Sequence, residues 1–248
     1  MNIINPYNEL NHRVYNRTFL HNIQVGLDFD LCKGALSNSQ VLKDFVNEFF
    51  QVTVNETPSS LSCIELCDEK NRVKFIFTEE MAKVTVGAKS YKSFADTMIP
   101  FVMKLSAYME QICKIPTVNR LTIKKNNLWE IKADNDIITI YPSALRYTFN
   151  EKYVDDMASI KSSDNPPFKI SKEANTSLGD GTLNAVISTI IKNHEEANFT
   201  LDFTAAADNV DAAKVVETST KLNDIIYCSF HDIVSKNVIN LMEQEGGK

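Results

Sequence analysis

From Asn22 to Leu31, apolar and polar residues alternate. Ile23, Val25, Leu27, Phe29 and Leu31 fall on one side, and Gln24, Asp28 and Asp30 on the other. That period of two predicts a half-buried β-strand. Further along, Val41, Leu42, Phe45, Val46 and Phe49 recur at helical spacing, with Asn38 or Ser39 as a cap, so a helix is expected over about 39–50. Residues 61–67, 71–78 and 82–87 read as three strands, with a turn at Cys67–Asn71 between the first two. Phe94, Met98, Phe101, Leu105, Tyr108 and Ile112 then mark a long amphipathic helix over about 91–114. Pro100 inside it predicts a kink, or a start near Thr97, and Pro116 closes it.

The second half repeats the rhythm. Residues 117–125 and 128–133 read as two strands around a tight turn at Asn126-Asn127, and 136–141 as a short apolar strand. No period runs through 142–182, which holds turn signals in SSDNPPF and SLGDGT. Residues 183–192 and 198–205 predict a hairpin across NHEEA. The last element is a helix over about 208–244, with Val215, Leu222, Ile226, Phe230, Ile233 and Leu241 on its apolar face. Asp208 and Asp211 sit at its expected start, and Gly246-Gly247 beyond its end. Strands in hairpin-like runs between amphipathic helices predict an α+β fold. Its antiparallel-rich sheet carries the two long helices and the shorter one on its apolar face. The expected organisation is one domain over 1–248, with 1–116 and 117–248 as similar halves.

Composition narrows the function. With 248 residues the chain buries a large core without staples. A net charge of −6 weighs against a dedicated duplex-DNA binder, while leaving room for a local basic stripe. No apolar run reaches membrane-span length and no signal peptide is evident, so a cytoplasmic, non-membrane protein is expected. Five cysteines, an odd number, then read as reduced thiols.

Few motifs carry chemistry. In RLTIKKNN, residues 120–127, Arg120, Thr122 and Lys124 fall on one face of a strand and Leu121 and Ile123 on the other. The cations suit an anion or an acidic partner, but a wet sheet face that discourages edge pairing produces the same pattern more often. Asp28 and Asp30 form a D-x-D, a pattern that holds Mg²⁺ in some enzymes and also arises from simple alternation. Cys63 and Cys67 lie too far apart on a strand to share one Zn²⁺ and read as small core residues. Cys228 and His231 are one helical turn apart and read as a structural pair, since no nucleophile elbow accompanies them. SLGDGT lacks the Lys-Ser/Thr of a phosphate loop and reads as a turn centred on Asp180-Gly181. Trp129 alternates with Ile131 and is expected in the core. No His, Cys or carboxylate spacing converges, so neither metal nor cofactor is expected.

RLTIKKNN also resembles an Arg-(Ile/Val)-x-(Ile/Leu/Val)-(Arg/Lys)-x-x-Asn element of a sporadically distributed, uncharacterised family of bacterial and archaeal proteins of about this length. Arg120, Lys124 and Asn127 fall on its three polar positions. Asn5-Pro6, YKSFADTMIPFVMKL, FTLDF at 199–203 and the closing LNDIIYCSFHDIVSKNVINLM are similar to other parts of that family, whereas 141–182 matches nothing in it. The resemblance implies a bacterial protein with a defence, immunity or antitoxin role, and a binding site at Arg120, Lys124 and Asn127. The favoured reading is a non-enzymatic module that binds another protein, its oligomeric state open. The alternatives are a metal-dependent nuclease or hydrolase using Asp28 and Asp30, and a nucleic-acid-binding accessory factor using the Arg120–Lys124 strand.

Overall fold

A computed structural model describes residues 2–13, 15, 18–32, 44, 55–56, 63–68, 72–134, 136–159 and 166–244. Within them nine strands form one antiparallel sheet. They are β1 (Leu20–Asp28), β2 (Asn55–Glu56), β3 (Cys63–Asp68), β4 (Val73–Thr78), β5 (Met81–Gly87), β6 (Thr117–Lys132), β7 (Phe168–Ser177), β8 (Gly181–Ile191) and β9 (Glu196–Asp211). Their order is β2-β3-β4-β5-β1-β6-β9-β8-β7, so β1 and β6 meet at the centre. The α+β class with an antiparallel sheet is therefore observed. The expected helix over 39–50 lies outside the described residues except for Asp44, which is helical.

The sheet buries one face. Ile23, Val25 and Leu27 from β1, Phe75 and Phe77 from β4, and Phe199, Leu201 and Phe203 from β9 are all essentially inaccessible. Helix α1 (Ile99–Tyr108), flanked by wider turns at Phe94–Met98 and Met109–Cys113, supplies Phe101 and Tyr108 to that face. Their rings meet Phe75 and Phe77 edge-on, at 5.5 and 5.7 Å between centroids. Edge-to-face pairs add roughly 0.5–1.5 kcal/mol each beyond the area they bury. Ser93 caps the start, its Oγ accepting from the Asp96 amide at 3.0 Å. The helical turns thus begin at Phe94, and the wide turn accommodates Pro100, which has no N–H to donate.

Four expectations change. Asn126-Asn127 is no turn, because β6 runs unbroken for 16 residues. It pairs with β1 on one side and β9 on the other, and neither Asn has a positive φ. Both amides are used in the sheet: Asn126 Nδ2 donates to Asp202 Oδ1 at 2.8 Å and Asn127 Nδ2 to the Leu201 carbonyl at 3.0 Å. Residues 136–141 are not a strand but open helix α2 (Ile137–Thr148). Asp136 caps it by accepting from the Ile138 amide, and Ile137, Tyr141 and Leu145 line its buried side at i, i+4 and i+8. The β-branched run pointed to a strand, but burial along one helical face overrides that weak preference.

The closing helix does not begin at Asp208. β9 extends to Asp211, whose side chain caps the turn Ala212–Lys214, and helix α4 spans Val215–Ile233. The chain breaks at Val234 and Ser235 before helix α5 (Lys236–Glu243), which Ser235 caps. Finally, the unreadable 142–182 contains most of α2, helix α3 (Glu151–Ala158) and β7. The turn after β7 places its positive φ at Gly179, one residue before the expected centre.

Candidate functional site

Strand β6 lies between two surfaces. Its odd-numbered residues from Leu121 to Ile131 face the helices, and its even-numbered residues face the opposite, helix-free side among the described residues. On the outer side Lys124 pairs in register with Gln24 of β1 and Thr204 of β9. Thr204 continues to Asn184 of β8, and Gln24 to Thr85 and Lys74. This polar row crosses most of the sheet. Several of its neighbours are matched: Lys74 with Glu65 at 2.6 Å, Asn126 with Asp202 at 2.8 Å, and Arg120 with Asp208 of β9 at 2.9 Å. Lys124 makes no ion pair among the described residues.

Arg120 and Lys124 therefore share the outer face, as the alternation predicts. Arg120 meets Asp208 across the strand pair, and both partners are about half exposed. Asn127 does not join them: its side chain points to the helix side and is 7% exposed. Asp28 and Asp30 do not converge with other ligands. Asp30 accepts from Asn119 Nδ2 at 2.8 Å, and no group of three His, Cys, Asp or Glu forms among the described residues. Cys63 and Cys67 pair with Thr78 and Lys74, which places them on the half-buried outer face instead of in the core. His231 bonds to Tyr15 and not to Cys228. Trp129 is buried, as expected, against Phe149 at 5.3 Å.

The inner side of the same strand holds what periodicity reading missed. Lys125 sits between Ile23 of β1 and Phe203 of β9, both fully buried. Its side chain lines an open-sided cavity of about 320 Å³, whose described lining comes mainly from β6, β9, α4, the segment 91–94 and residues His12, Arg13, Tyr15 and Thr18. Burial lowers the Lys125 ammonium from 10.5 to about 8, opposed in part by the charge of Asp224. No ion pair reaches Lys125 among the described residues, since Asp224 is engaged by His12 at 2.8 Å. Asn223 of α4 lines the same cavity. It is 3% exposed, and its Oδ1 receives no hydrogen bond among the described residues. Phe94, Phe203, Ile226 and Phe230 make the walls apolar.

The N-terminal segment roofs this space. The His12 ring stacks on Tyr227 at 4.1 Å, and Tyr15 Oη lies 2.6 Å from His231 Nε2. Burial depresses His231 below the usual imidazole range, which favours the neutral ring beside the Tyr15 hydroxyl. Continuing the alternation of Leu121 and Ile123 through to Trp129 and Ile131 would have placed Lys125 and Asn127 inside; the supposed turn broke that parity.

No protein-family model matches the chain, and no curated protein matches it. Among solved structures it is similar to Methanococcus jannaschii TBP, over 84% of this chain and 97% of that one, at 10% identity and a TM-score of 0.26. No described helix is long and apolar enough to cross a membrane.

Proposed function

We propose that this chain is a non-enzymatic binding module that docks another protein on the outer face of its sheet. The observation that carries this reading is the polar row centred on Lys124, on a face that no described helix covers. The eight strands from β3 to β7 in sheet order, at ~4.8 Å spacing, are about 34 Å across, and ladders with a median of eight pairs add about 27 Å of length. That gives roughly 800–1,000 Å², the area one partner contributes to a standard interface. Interspersed acids and amides, such as Asp202 and Asn126, suit a mixed protein surface better than a uniform phosphate backbone. The resemblance of RLTIKKNN to a patchily distributed family points to a defence, immunity or antitoxin accessory.

The two-halves organisation belongs to the same proposal. What supports it is the strand order, in which β1, β3, β4, β5 and α1 are answered by β6, β7, β8, β9 and α4, with β1 against β6 at the centre.

The test is affinity capture from the native host using the wild-type chain, Lys124→Glu and Lys125→Met, each with and without nuclease. The reading expects a protein retained by wild type and Lys125→Met, lost with Lys124→Glu and indifferent to nuclease. Equal capture by Lys124→Glu overturns it. Capture abolished by nuclease moves the face to the nucleic-acid alternative.

A further inference from the structure

Lys124 and Lys125 are adjacent in sequence and point in opposite directions, and the outer-face reading makes no use of Lys125. We propose that the cavity beneath β6 is a binding site for a small organic carboxylate whose apolar body also carries a hydrogen-bond donor. The carboxylate would lie against Lys125 and the donor against Asn223 Oδ1.

Three observations define this ligand. The first is a cation without an ion pair among the described residues. Lys125 lies in register between Ile23 and Phe203, and the nearby carboxylate of Asp224 is held by His12. An ammonium so placed favours an anion that brings its own charge. The second is an acceptor without a donor. Asn223 Oδ1 is buried on the α4 side of the same cavity, and a buried acceptor left open is a specific cost that a ligand O–H or N–H removes. The third is size and lining. An apolar cavity of roughly 150 Å³ holds one benzene. About 320 Å³ therefore takes a single ring with a short acidic arm. Phe94, Phe203, Ile226 and Phe230 supply apolar contact for that ring. Phosphate esters fit less well, because the other described cations that line the cavity, Arg13 and Lys92, are exposed to solvent.

Described residues of the N-terminal segment border this site. His12, Arg13 and Tyr15 line the cavity and are tied to α4 and α5 by side-chain contacts at Asp224, Tyr227, His231 and Glu243.

The probes are 4-hydroxyphenylacetate, which carries both groups, phenylacetate, which lacks the donor, and tyramine, which replaces the acid with a cation. Binding to the full chain is read by calorimetry. The expected result is saturable binding of 4-hydroxyphenylacetate, weaker binding of phenylacetate, and none of tyramine. Lys125→Met should weaken the hydroxy acid by about tenfold or more, as loss of a charge-assisted hydrogen bond does. Asn223→Leu should bring the two acids to equal affinity. A second measurement needs no variant. In wild-type protein, reductive methylation of Lys125, followed by peptide mass spectrometry, should slow several-fold with 4-hydroxyphenylacetate present. Lys124, on the other face of the same strand, should methylate at an unchanged rate. The proposal is overturned if neither acid binds saturably, if tyramine binds as well as the acids, or if Lys125 and Lys124 are protected equally.

Discussion

Replacing Lys125 with methionine should make the protein more stable at neutral pH and should erase part of its pH dependence. Burial takes the ammonium from 10.5 to about 8. At ~1.36 kcal/mol per pH unit, that gap corresponds to about 3 kcal/mol spent at pH 7 to keep the charged form inside. Methionine keeps the length and apolar stem of the side chain and removes the charge. It leaves no orphaned acid, because Asp224 remains paired with His12. The sign follows from linkage. Between about 8 and 10.5 the unfolded chain binds the proton that the folded chain has lost, so wild-type stability rises with pH across that window. Below pH 8 the full cost is present, and above 10.5 it is gone. The advantage of Lys125→Met should therefore be about 3 kcal/mol at pH 7, about 2 at pH 9 and below about 1 at pH 10. At roughly 2–4 °C per kcal/mol for a chain of this size, the difference in Tm starts near 6–12 °C and closes as pH rises. Calorimetric melts of both proteins at pH 7, 9 and 10 measure it. Taking the difference between the two cancels the tyrosines, since Tyr15, Tyr91 and Tyr153 are all pushed upward by burial and titrate in both. A variant that melts below wild type at pH 7, or a gap that stays constant to pH 10, refutes the placement of Lys125 as a partly buried cation without an ion pair.

Arg120→Ala should change stability by less than about 0.5 kcal/mol, because its pair with Asp208 is solvent-exposed, and a thermal melt within about 2 °C of wild type checks this. Phe101→Ala should cost about 3–5 kcal/mol in urea titration, since the ring is fully buried edge-on against Phe75. His231 is held below the imidazole norm, so the unfolded chain takes up a proton that the folded chain refuses as pH falls below about 6.5. Wild-type stability should therefore drop between pH 7.5 and 5.5, and His231→Gln should flatten that drop in melts at the two pH values. Ser93→Ala should cost about 1 kcal/mol by loss of the α1 cap, measured by chemical denaturation.

How much of this was readable depended on how many residues voted together. β1, β4 and β5 were legible because each repeats its alternation over several positions with one face fully buried, and a one-residue slip would have exposed the whole set. Residues 137–141 misled because Ile137, Ile138, Thr139 and Ile140 favour strands locally, whereas the burial of Ile137, Tyr141 and Leu145 on one helical side is visible only over twelve residues. The Asn pair in β6 misled because Asn suits turns, yet each amide here finds its partner on the neighbouring strand. Asn223 was equally hidden, since it follows Leu222 on an apolar helix face and nothing in its spacing distinguishes it. Sites assembled from β6, α4 and His12, Arg13 and Tyr15 have no spacing signature at all, because their members lie about 100 residues apart in the chain.

The earliest residues of the chain have their partners at its far end. The amide of Ile4 bonds to the carbonyl of Leu178, that of Arg13 to the hydroxyl of Tyr227, and His12 reaches Asp224. On a ribosome, then, His12 and Arg13 emerge well before their partners and find their places only after α4 has been made. At ~5–20 residues per second they wait roughly ten seconds or more for it. The sheet and the floor of the cavity can assemble in that interval, but its roof cannot. A truncated or stalled product would accordingly display Lys125 and the aromatic walls around it to the surroundings, and only the finished chain covers them.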